Sequence, residues 1–99
     1  MNFYFHPEAE RELIEAIEFY KKSQTGLGQR FALEVFAAIR LILNFPGAWP
    51  KISRKKIRRC LINRFPYGIL YHHEQNEIMI LAVMHLHRRP GYWTERLQS

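Results

Sequence analysis

Residues able to move protons or hold anions crowd one short stretch near the C-terminus, where VMHLHRRPGYW supplies His85, His87, Arg88, Arg89 and Tyr92. Cleaving RNA without a metal needs a base for the ribose 2′-OH, an acid for the departing oxygen, and cations around the phosphorus, where negative charge grows. His87 or Tyr92 could handle protons beside Arg88. If the last strand continues past Met84, the period-two alternation puts His85, His87 and Arg89 on one face, with Leu86 and Arg88 on the other. The same residues also have a non-catalytic reading: His85 packs at the strand end, His87 and Arg88 are solvated, and Tyr92 with Trp93 anchors the tail to the sheet.

A second basic cluster, Lys51, Arg54, Lys55 and Lys56, lies in the segment FPGAWPKISRKK, where contact with phosphate or carboxylate is easily arranged. The adjacent Arg58 and Arg59 must face opposite sides of a strand, so they cannot both line one site. Cys60 sits in an apolar strand and reads as a packed small residue. The five histidines lack the cysteine or carboxylate spacing of a zinc site, so neither a metal nor a cofactor is expected. Trp49 and Trp93, beside prolines and glycines, read equally as interface anchors or core plugs.

The elements that must position these groups follow from periodicity. Asn2 to His6 is short, aromatic and alternating, which predicts a strand. Pro7 then opens a helix to about Lys22, with Ala9, Leu13, Ala16, Ile17 and Tyr20 recurring at three and four. After a glycine-containing turn, Leu27, Phe31, Val35, Phe36, Ile39, Ile42 and Leu43 predict a second helix to about Asn44, antiparallel to the first. The Pro-containing connector is read as exposed. Three strands follow, Ile57–Ile62, Tyr67–His73 and Glu77–His85, joined by tight turns into an antiparallel meander. Ile78 to Met84 is apolar at both parities, so the last strand is expected to be central and covered on both faces.

Ninety-nine residues allow one domain, 1–99, and 47% apolar with 24% charged residues is the balance of a folded globular chain. The longest apolar run, Ile78–Met84, is far short of the ~20 residues that span a bilayer, and the N-terminus lacks a basic-then-apolar export signal. A cytoplasmic protein is therefore expected, without membrane contact. Residues 1–50 hold five Lys/Arg against six Glu, a net −1, whereas residues 51–99 hold ten against three, a net +7. The C-terminal half is the one expected to meet an anionic macromolecule. Every acidic side chain is glutamate, which excludes an Asp-rich calcium or magnesium loop.

The order strand, helix hairpin, connector and three strands resembles the RelE/ParE superfamily of bacterial type II toxins over nearly the whole chain. The matching pieces are HPEAERELIEAIEFY, QRFALEVFAAIRLILNFP, the Arg-rich strand leading to FPYGILY, and VMHLHRRPGYW; the last two look more like the ParE branch. The resemblance implies an α+β fold, with an N-terminal strand and an antiparallel two-helix hairpin packed on a small antiparallel sheet. It also implies the toxin component of a plasmid-stabilising toxin–antitoxin system, held inactive by a cognate antitoxin. Operator DNA would be contacted only through that antitoxin. Two targets stay open: DNA gyrase, bound without chemistry, and ribosome-bound mRNA, cut by a metal-independent endonuclease of RelE type. The nearest counterparts of RelE-like catalytic residues are Tyr92, Arg58, Arg64 and Lys55 or Lys56. The target or nucleic-acid contact is expected from Lys55, Lys56, Arg58, Arg64, His87, Arg88, Arg89 and Trp93.

Overall fold

The computed structural model describes residues 1–98. Among them the element order is β1 (Asn2–Phe5), α1 (Pro7–Ser23), α2 (Leu27–Asn44), β2 (Ile57–Leu61), β3 (Tyr67–Glu74), β4 (Glu77–His85) and a closing 3-10 turn, Thr94–Gln98. The expected α+β architecture is present: two helices lie on a four-stranded sheet of order β1-β4-β3-β2. No helix among the described residues is long and apolar enough to cross a membrane.

The sheet is mixed rather than antiparallel. β2, β3 and β4 form the expected meander, but β1 pairs with β4 in parallel, Asn2 opposite Glu77 and Phe5 opposite Ile80. Four residues of alternating pattern show that a strand exists but not which neighbour it takes. The pairing places β4 between β1 and β3, and clusters packed on both sheet faces bury Ile78 and Ile80–Met84 at both parities.

His6 starts α1 by accepting the Glu8 N–H on its imidazole Nδ1, and Pro7 occupies the first turn. The two helices approach through a glycine: a Cβ at Gly28 would stand 2.6 Å from the Ile17 carbonyl oxygen, so any side chain there would force α2 away from α1. Beneath the hairpin, Phe31 is fully buried in a ring cluster with Tyr20, Phe65 and Tyr67. Leu13, Val35, Ile39, Ile42, Ile69, Tyr71 and Ile80 complete this core.

A smaller core covers the other sheet face, with Ile57, Leu70, Leu81, Ala82, Met84 and Trp93 packed beneath Ile52, Met79, Tyr92 and Leu97. Between Leu70 and Tyr71 the register steps by one, so Leu81 has no partner across β3 and bulges. The connector is not a free loop. Its Pro50 carbonyl accepts the Arg59 N–H, Lys51 bridges Arg58, and the Ile52 N–H donates to Ile57. It thus extends the β2 edge and carries Ile52 onto the outer core.

Candidate functional site

The predicted site residues do not form one cluster. Lys55 and Lys56 are exposed before β2 begins, while Arg64 is exposed in the turn after β2 ends, so the five residues of β2 lie between them. Arg58 and Arg59 face opposite sides, as strand geometry requires. Arg58 donates to the Trp49 carbonyl at 2.5 Å on the helix-covered side, where it packs near Tyr71. Arg59 lies across the outer face.

β4 stops at His85, and residues 86–88 turn, so the shared face of His85, His87 and Arg89 that a longer strand would give does not form. The two histidine rings still lie 5.1 Å apart because the His87 N–H donates to the His85 Nδ1 at 3.1 Å. That bond leaves Nε2 of neutral His85 as the protonated nitrogen. His85 borders a cleft of about 240 Å³ with Glu12, Glu15, Phe19, Tyr67 and Arg88.

Tyr92 is committed to the fold. Its hydroxyl donates to Glu12 Oε2 at 2.6 Å. Arg96 grips the same carboxylate with two bonds of 2.8 Å, one to each oxygen. The site finishes an open sheet edge: β1 ends opposite Ile80, and just beyond it the Leu81 carbonyl accepts from Arg96 at 3.0 Å and the Val83 N–H donates to Glu12 Oε1 at 3.0 Å. Side chains thus replace the missing neighbour strand at the bulge. Burial first, and then the bond to Glu12, pushes the Tyr92 phenol far above its ordinary range. The hydrogen bond to Glu12 raises Arg96 against the opposing effect of burial. In this arrangement the Tyr92 hydroxyl is held as a donor to Glu12.

Glu12 and Arg96 were absent from the sequence-based candidates. A signal for Glu12 exists: with helical spacing it adjoins the buried stripe Ala9, Leu13, Ala16, and a carboxylate at that flank needs a cationic partner. Nothing local identifies Arg96 as that partner.

On the outer face the Arg88 guanidinium lies 3.9 Å from the Tyr92 ring centroid, with Arg96 at 5.0 Å from the same ring. Trp93, expected at the contact surface, is instead 5% exposed. Its ring belongs to the outer core and reaches solvent only as the wall of a pocket of about 230 Å³. Ile52, Met84 and Leu86 supply apolar lining, while Arg59 and Arg88 supply charge. Arg89 and His87 are exposed beside it. Cys60 is a buried packing residue, its thiol pushed up to about 11 by burial. Among the described residues no group of three or more His, Cys, Asp or Glu is placed to hold a metal ion.

Comparison with known families matches residues 3–90 to the ParE toxin of type II toxin–antitoxin systems, parDE. No protein of curated function matches. Among solved structures, the chromosomal ParDE toxin–antitoxin system of P. aeruginosa superposes with a TM-score of 0.62 at 14% identity, covering 87% of this chain and 96% of that one.

Proposed function

The chain belongs to the ParE toxin family of type II toxin–antitoxin systems, and from that premise we propose that it stops growth by gripping DNA gyrase in the cytoplasm. A cognate antitoxin holds it inactive, the pair serves plasmid stabilisation, and operator DNA is contacted through the antitoxin. The observation that carries the binding mode is the bond from Tyr92 to Glu12 under Arg96. It engages Tyr92, one candidate acid–base residue of the C-terminal stretch, in a bond that ties the tail to α1, which supports a binding role. Arg88, Arg89 and the Lys55–Lys56 turn are exposed cations suited to contact, and His87 is exposed beside Arg88.

One observation favours the second reading, an mRNA endonuclease: the paired His85 and His87 rings beside Arg88. One experiment separates the two. In cells making the chain without antitoxin, plasmid DNA loses supercoiling while primer extension on translated message finds no new ends. Codon-linked cuts, abolished by Arg88→Ala or Tyr92→Ala, would replace gyrase binding with nuclease action.

A further inference from the structure

The outer-face pocket is built rather than incidental, because both of its arginines are held in place by dedicated contacts. Arg59 lies flat across β3 over Gly68: a Cβ there would stand 3.1 Å from Arg59 Cγ and 3.2 Å from Cδ. The glycine of FPYGILY thus lets the Arg59 stem lie a few tenths of an ångström closer to the sheet than a side chain there would. Arg88 rests on Tyr92, whose hydroxyl is pinned by Glu12. Among the described residues, neither Arg59 nor Arg88 has a carboxylate within salt-bridge distance. Residues 51–73 contain no acidic side chain, and Lys51, Arg54, Lys55 and Lys56 extend the positive surface. Between the arginines lies the apolar lining of Ile52, Met84, Leu86 and Trp93.

We propose that this pocket receives an apolar side chain of an acidic peptide, flanked by carboxylates that pair with Arg59 and Arg88, and that the peptide is a segment of the antitoxin. The assignment rests on the antitoxin reading above. An apolar anchor in a desolvated pocket, with complementary charges at its rim, is the arrangement that concentrates binding energy at protein interfaces. A single-stranded nucleic acid fits less well, because base stacking needs an open aromatic face. Here one guanidinium covers the Tyr92 ring at 3.9 Å, and Trp93 is 5% exposed.

The test uses the full-length chain and a fluorescent twelve-residue peptide carrying one leucine between pairs of glutamates. Addition of the peptide should shift the NMR signals of the Trp93 indole and the Met84 and Leu86 side chains. Arg59→Gln and Arg88→Gln should each weaken binding at least tenfold. Gly68→Ala, which shifts the Arg59 stem by a few tenths of an ångström without changing charge, should weaken it less than Arg59→Gln does. Arg40→Gln, an equal charge loss on α2, should change it less than twofold, and circular dichroism of each variant reports folding. Equal weakening by Arg40→Gln and Arg59→Gln, or shifts confined to other surfaces, would overturn the pocket. Displacement of the peptide by an oligonucleotide of equal charge at the same concentration would reassign it to nucleic acid, and so would also overturn the proposal. Co-expression with the product of the adjacent reading frame tests the antitoxin reading separately. Full neutralisation of an Arg59→Gln, Arg88→Gln double variant would sink the pocket and leave the antitoxin reading standing. Failure to neutralise the wild-type chain would sink the antitoxin reading itself.

Discussion

Removing the Tyr92 hydroxyl deletes a 2.6 Å bond to a carboxylate while keeping the ring on which Arg88 rests. Tyr92→Phe should lower unfolding free energy by about 1.5–3 kcal/mol, the range for bonds to charged groups, as read by urea denaturation. Growth arrest on expression should survive the change. Were Tyr92 a proton carrier, the same variant would lose roughly 10²–10⁴ in activity. Cys60 gives a residue-scale pH prediction. Its thiol rises from 9.0 to about 11 in the fold, so the neutral form is the one the folded state favours. The associated stability is complete below pH 9 and drains away as pH climbs towards 11. Urea midpoints measured across that interval should fall more steeply for the wild type than for Cys60→Ala. Cys60 as a packed residue was legible from its apolar strand. The Tyr92 bond was not, because its partner lies 80 positions away and no local pattern records the contact.

At the scale of elements, two joints carry the architecture. Gly28→Ala would place a methyl 2.6 Å from the Ile17 carbonyl. Pushing α2 off α1 should cost about 1–3 kcal/mol, visible as a lowered thermal midpoint. The Glu12–Arg96 pair joins α1, the bulged part of β4 and the closing turn, with both side chains nearly covered, at 13% and 12% exposure. Glu12→Ala removes the carboxylate that the largely covered Arg96, the Tyr92 hydroxyl and the Val83 N–H all bond, so a loss of about 3–5 kcal/mol is expected in chemical denaturation. The helices and the three-stranded meander were legible, since α2 runs Leu27–Asn44 and β4 runs Glu77–His85 as periodicity requires. The parallel seat of β1 was not. Its pairing is decided by which edge of the meander the chain reaches after folding, not by its own four residues. His85 ends β4 because the chain turns there, the Arg88 N–H donating back to the His85 carbonyl. An alternation count continued through His87 cannot see that bond.

For the molecule as a whole, the uneven charge becomes a division of labour. The slightly acidic first half supplies the helix hairpin and the Glu12 carboxylate, while the +7 second half keeps Arg58 and Arg96 for structure and displays others. That the second half is the basic one was legible from composition. Its distribution over separate sites, with Arg58 drawn under Trp49 and Arg59 laid across Gly68, depends on strand facing and on one glycine. The function proposed for this surface is to disable gyrase by binding it. Purified full-length chain titrated into a gyrase supercoiling reaction tests that claim directly. Wild type and Tyr92→Phe should suppress supercoiled product at the same concentrations. Undiminished supercoiling at concentrations that stop growth would rule out gyrase as the target.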